Sequence, residues 1–165
     1  MNDEANIHPV AHNTSNKRGF VLSLKGRALR YLATREHSRM ELERKLKPHA
    51  ESIEQLVRVL DELTAKDFIS EARVVESIVN RRAAKFGAAR VKHELMSKGL
   101  GAELIAEAMS RLWATEVERA REIWRRKFGS AAPDAGARVK QMRFLAARGF
   151  SGDTIRKVVA NSDED

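Results

Sequence analysis

The chain has 165 residues, of which 42% are hydrophobic and 33% charged, with no cysteine and a formal net charge of +8. Those figures allow real hydrophobic cores, exclude disulfides and thiolate chemistry, and suit a reducing cytoplasm. No apolar run approaches the ~20 residues of a membrane span, no secretion leader is expected, and the positive balance favours an anionic partner, nucleic acid or a protein–nucleic acid complex.

Residues 1–20 are polar with little periodicity and read as a disordered arm, taken to extend to residue 24. From about Lys25 the pattern is helical, and Leu29, Leu32 and Ala33 mark a first apolar stripe. Ser38-Arg39-Met40-Glu41 forms a capping box, in which the Ser38 hydroxyl accepts from the amide of Glu41 and the Glu41 side chain reaches back. It opens a short helix carrying Leu42 and Leu46 that stops near Pro48. Ser52 to Gln55 is a second box, followed by Ile53, Leu56, Val57, Leu60 and Leu63 at helical spacing. Ser70 caps a fourth helix, read as ending at Gly87. A fifth runs from about Ala88 to Lys98 and ends at Gly99, and a sixth carries Leu104, Ile105, Ala108, Met109 and Leu112. Thr115 to Glu118 is a third capping box, opening a seventh helix that stops at Gly129. The loop Gly129 to Gly136 leads to an eighth helix closed by Gly149, and Ser151 caps the ninth.

This punctuation implies an all-α fold of three tandem three-helix repeats, elongated and modular, over residues 25–69, 70–114 and 115–160, with an acidic tail at 161–165. The text itself repeats. Lys85-Phe86-Gly87 returns as Lys127-Phe128-Gly129, and Leu95-x-x-Lys98-Gly99-Leu100 returns as Leu145-x-x-Arg148-Gly149-Phe150. Each glycine fits a left-handed position after a helix, and the basic residue nearby favours the negative end of the helix dipole. Net charge rises along the chain, from +1 over residues 27–69 to +3 over 70–114 and +6 over 115–160.

Two stretches, Arg27 to Leu46 and Arg81 to Leu100, resemble the RecX family of bacterial RecA regulators. The first carries Arg35-Glu36-His37-Ser38 and Glu41-Leu42-x-x-Lys45-Leu46; the second carries Phe86-Gly87, Arg90-Val91 and Glu94-Leu95-x-x-Lys98-Gly99. The third part, Lys127-Phe128-Gly129 with Arg148-Gly149-Phe150, also fits, so the likeness runs over about residues 25–160. One stretch departs: Asp67-Phe68-Ile69-Ser70-Glu71-Ala72-Arg73 stands where the family usually has Gly-Tyr-Leu-Asp-Asp-x-Arg. The resemblance implies three three-helix repeats in a cytoplasmic monomer without catalysis or cofactor. It implies binding to RecA recombinase filaments on single-stranded DNA and suppression of their growth. ATP hydrolysis, strand exchange and repressor cleavage in the SOS response then fall.

The residues agree in kind. The chain has no phosphate-binding glycine loop followed by Lys-Ser/Thr, and His93-Glu94 lacks a second histidine at the zincin spacing. His37 reads as part of a capping turn and His49 as a loop residue, so no metal site is expected. Trp113, Trp124 and the phenylalanines sit at apolar-stripe positions and are expected in the core. On the seventh helix Arg119 and Arg126 lie opposite the stripe of Val117, Ala120, Trp124 and Phe128, and are the leading candidates there for phosphate or acidic-partner contact. Arg125, Lys127, Lys140 and Arg148 extend that set in the third repeat; Arg81, Lys85, Arg90, Lys92 and Lys98 form it in the second. A solvated charged face is the competing reading of these positions. Arg82, aligned with Trp124, is read as structural: its stem leans inward and its head pairs with a carboxylate or a helix end. A basic helical DNA-binding protein acting without a recombinase remains the alternative function.

Overall fold

The computed structural model describes residues 21–160, which form nine α-helices and one 3-10 turn with no strand among the described residues. The acidic tail and the arm up to residue 20 lie outside them. Ser23 accepts a hydrogen bond from the Gly26 amide at 3.0 Å and starts α1 (Leu24–Leu32) within the segment read as arm, and Leu24 is already buried. α2 (Arg39–Leu46) runs into the 3-10 turn Lys47–His49, which holds Pro48, and α3 (Ile53–Ala65) completes the first triplet. The second triplet is α4 (Glu71–Arg82), α5 (Ala88–Ser97) and α6 (Ala102–Ala114); the third is α7 (Glu116–Phe128), α8 (Ala135–Ala146) and α9 (Gly152–Ala160).

Each triplet has its own core. Leu42, Leu46, Leu60 and Leu63 centre the first; Val74, Val91, Leu95 and Ala108 the second; Ala120, Trp124, Leu145 and Val158 the third. The Trp124 indole N–H donates to Gln141 Oε1 at 2.9 Å, so the one polar edge in the third core is satisfied. No helix among the described residues is long and apolar enough to cross a membrane.

Several local readings hold and several shift. The Ser38–Glu41 box is formed in both directions, at 3.2 and 2.9 Å. Ser52 caps α3, but Gln55 reaches past it to the amide of Glu51. Thr115 forms no box. It joins α6 to α7 with near-helical dihedrals (φ −109°, ψ 5°), so its hydroxyl turns back toward the carbonyls of Arg111 and Leu112. In the first stripe Leu29 and Leu32 pack against the core as expected, buried Leu24 and Ala28 join them, and Ala33 is exposed. In α3 the buried line is Leu56, Leu60 and Leu63, which leaves Ile53 and Val57 in solvent. Trp113 is 46% exposed and Phe68 47%, against their expected burial; Trp113 stands one residue, about 100° of helix, past buried Leu112. Gly99, Gly129 and Gly149 have positive φ, but Gly87 has φ −71° and is the N-cap of α5. The repeated Lys-Phe-Gly thus opens one helix and closes another.

Candidate nucleic-acid interface between the second and third repeats

Gly87 explains how these two repeats meet. Its amide donates to the carbonyl of Arg148 at 2.8 Å, and a Cβ at this position would lie 2.2 Å from the carbonyl oxygen of Gly149. Gly149, at φ +82°, is confined in turn, since a Cβ there would come within 2.7 Å of the Arg90 Cβ. Main chain crosses main chain with no room for a side chain on either strand.

Two charged side chains lock the crossing. Glu116, 2% exposed at the start of α7, accepts from the amide of Ala88 (3.0 Å), the Ser151 hydroxyl (2.9 Å) and the Thr154 hydroxyl (2.8 Å). A carboxylate from the third repeat thereby caps the positive end of a helix in the second. Arg119 spans the other way. Its guanidinium donates to the carbonyls of Ala83, Phe86 and Leu112 at 2.8–2.9 Å and to the Thr115 hydroxyl. Loss of water around it pushes its pKa down, with Glu116 opposing. The placement of Arg119 on an open face is therefore corrected. The side of α7 opposite its own core faces the helix ends of the neighbouring repeat, a surface that a single-helix wheel does not represent.

Beside the crossing lies a cleft of about 340 Å³. The α4–α5 turn supplies Ala84, Lys85 and Phe86; α7 supplies Ile123, Arg126 and Lys127; α8 and its terminus supply Phe144 and Arg148. Four cations line it and no carboxylate does. Lys85 and Lys127 have no ion-pair partner among the described residues, and Arg126 reaches only Glu122 one turn back on the exposed surface of α7, at 2.7 Å. Two of the guanidiniums lie over rings: Arg148 sits 3.7 Å from the Phe144 ring centre, and Arg90, a fifth cation outside the lining, 4.3 Å from that of Phe86.

The first and second repeats meet at a cleft built from equivalent positions. Register set by the helix caps pairs Ser38 with Gly87, Ser70 with Thr115, and Gly99 with Gly149. Arg35, Glu36, Ile78, Arg81, Arg82, Glu94 and Lys98 then correspond to Ala84, Lys85, Ile123, Arg126, Lys127, Phe144 and Arg148, and both sets line a cleft. Arg82 therefore corresponds to Lys127, not Trp124. Its structural reading holds: Nε donates to Glu94 Oε2 at 2.7 Å, and Arg81 shares the same carboxylate at 3.1 Å. Lys98 is engaged as well, 2.5 Å from Glu41, which also takes Arg35 at 2.9 Å. Burial works to raise the Glu41 pKa, but Arg35, Lys98 and the Ser38 amide outweigh it and hold it at about 2. Glu36 pairs with Arg73, which also grips Asp67, itself at φ +60° after α3. The segment 67–75 thus belongs to this junction.

The structure brings Lys85, Arg126, Lys127 and Arg148 together, with Arg90 behind Phe86 and its Nη1 on the carbonyl of Ala147. Arg81 and Lys98 belong to the self-neutralised first junction, and Arg119 to the fabric of the second. Lys92, Arg125 and Lys140 are exposed and outside the cleft. Phe86 and Phe144 pack against the cores as expected but are only partly buried, and sequence reasoning misses the face each turns to the cleft. Cap register is the signal that finds Phe144, because it sets this ring against charged Glu94 and so at the edge of the core, where it is partly buried. Among the described residues no group of three or more His, Asp or Glu could hold a metal ion.

Residues 25–63, 70–109 and 114–159 match family models described as the first, second and third three-helix domains of RecX. The chain is 54% identical over 144 residues to Regulatory protein RecX of Leptothrix cholodnii, covering 87% of this chain and 92% of that one. It is 51% identical over 143 residues to the protein of that name from Herminiimonas arsenicoxydans, covering 87% and 95%. The crystal structure of RecX from Lactobacillus salivarius superposes with a TM-score of 0.73 at 21% identity, over 86% of this chain and 96% of that one, a likeness of fold.

Proposed function

The chain belongs to the RecX family, and on that premise we propose that it regulates recombination by binding RecA filaments on single-stranded DNA. Binding restrains filament growth, and ATP hydrolysis, strand exchange and repressor cleavage fall with it. The protein acts by contact alone, as a cytoplasmic monomer without cofactor. The observation that carries this reading is the second cleft, which four cations and no carboxylate line and in which only Arg126 has an ion-pair partner among the described residues, Glu122 outside the lining. A regulator that addresses a polyanionic filament needs positive charge that its own acids do not cancel.

The test is ATP hydrolysis by RecA on single-stranded DNA. Wild-type protein lowers it. Lys85→Glu with Lys127→Glu alters two exposed side chains without ion-pair partners among the described residues, so stability should stay within ~0.5 kcal/mol while inhibition weakens. Arg119 is unsuitable for such a reversal, since its four hydrogen bonds hold the fold. Wild-type protein that leaves the ATPase untouched overturns the regulator reading in favour of a DNA-binding protein acting alone. A double reversal that inhibits as strongly as wild type removes this cleft from the contact.

A further inference from the structure

Resting on the reading that the second cleft faces single-stranded DNA, we infer that it receives a nucleotide, with the base in its apolar floor and the flanking phosphates on its cationic banks. The floor is Phe86, Phe144 and Ile123, and it offers flat rings where the first cleft offers the carboxylate of Glu94. The Arg148 guanidinium is held over Phe144, 3.7 Å from the ring centre and hydrogen-bonded to the Phe144 carbonyl at 3.3 Å, and presents a planar, weakly hydrated cation on which a base can stack. Lys85 and Lys127 come from opposite repeats and stand on opposite banks, where a strand entering and leaving places its phosphates. The lining contains no amide or hydroxyl side chain and its rings have no hydrogen-bonding atoms, so stacking is the main hold on the base and sequence preference is weak. A duplex keeps its bases stacked on each other and cannot offer one to the floor. An acidic peptide would satisfy the banks but bring no planar group to the Arg148–Phe144 pair.

The test uses the full chain and no recombinase, which separates it from the ATPase assay. Labelled oligo(dT) and an abasic oligomer of the same length are titrated by fluorescence anisotropy over a range of salt. Wild-type protein binds oligo(dT) roughly tenfold more tightly than the abasic strand, the worth of a stacked base. Lys85→Gln and Lys127→Gln weaken both and lower the salt slope by about 0.7 for each phosphate no longer neutralised. Phe144→Leu removes the preference for oligo(dT) and leaves abasic binding in place. Because Phe144 also meets Phe128 edge-on at 5.1 Å, photocrosslinking of wild-type protein to 5-iodouracil DNA supplies a second reading that needs no variant. Crosslinks map to Phe86 or Phe144. Equal binding of the two strands, crosslinks confined to other residues, or no binding without recombinase each overturn the inference. If those results accompany normal ATPase inhibition that Lys85→Glu/Lys127→Glu abolishes, the cleft meets an acidic protein surface and the regulator reading stands.

Discussion

At the first junction Glu36, Glu41 and Glu94 sit among Arg35, Arg81, Arg82 and Lys98; at the second, the matching positions hold Lys85, Arg90 and Phe144 among Arg126, Lys127 and Arg148. A duplicated framework has been given opposite electrical fillings. The first junction spends its cations on its own carboxylates and is held by ion pairs. The second is held by a main-chain crossing, a buried carboxylate on a helix start and an arginine on helix ends, and Lys85 and Lys127 in its cleft have no ion-pair partner among the described residues. Cohesion in which charged side chains pair with main-chain groups, as Glu116 and Arg119 do, leaves the cleft cations unspent on carboxylates of the junction.

The comparison breaks most visibly at the caps. Gly87→Ala sets a methyl against the Gly149 carbonyl and should cost about 3 kcal/mol, the upper range for overpacking. Its counterpart Ser38→Ala loses one cap, about 1 kcal/mol. Chemical denaturation of the two variants measures the difference; equal losses would mean that the crossing is not rigid.

Acid should act on the first junction. Glu41 has its folded pKa lowered from 4.5 to about 2, so its ion pairs add stability above pH 4.5 that is lost as pH falls toward 2. His37, 1% exposed, has its pKa lowered chiefly by burial, so the unfolded chain takes a proton first as pH drops below 6.5, and stability falls in the same direction. Glu41 alone should cost about 3 kcal/mol by pH 2, and His37 acts in the same direction. Hydrogen exchange at low pH should show amides around α2 losing protection ahead of those near Gly87; simultaneous loss would refute the division of labour.

The smallest effect tests conversion of one junction toward the other. Glu94→Gln releases Arg81 and Arg82 from their shared partner. Stability should fall by less than ~1 kcal/mol, because both guanidiniums are partly exposed. Affinity for single-stranded oligomers should rise, with a salt slope steeper by about 0.7 if one phosphate is gained. Unchanged binding would mean that the first cleft lacks more than charge.

The helices and most of their caps are legible in Ser38, Ser52, Ser70, Gly99 and Gly149, because local hydrogen bonding and φ preferences are written in consecutive letters. The site is harder. Matching Lys-Phe-Gly to Lys-Phe-Gly aligns Arg82 with Trp124 and hides its pairing with Lys127, because identical letters carry different caps. Arg119 and Lys98 are misplaced for a related reason: periodicity describes a helix against its own core and is blind to the next repeat. The charge rise toward the third repeat is legible, and the structure gathers part of it into one cleft.

Lys85 and Phe86 stand on one repeat, and Arg126, Lys127, Phe144 and Arg148 on the next. The proposed binding surface is therefore absent from either unit alone and comes into being only when the two dock. Whatever occupies it acts as a clamp. Its affinity and the closing of the Gly87–Arg148 hydrogen bond are linked quantities, each strengthening the other by the same factor. The exchange rate of a single amide, that of Gly87, then becomes a gauge of occupancy.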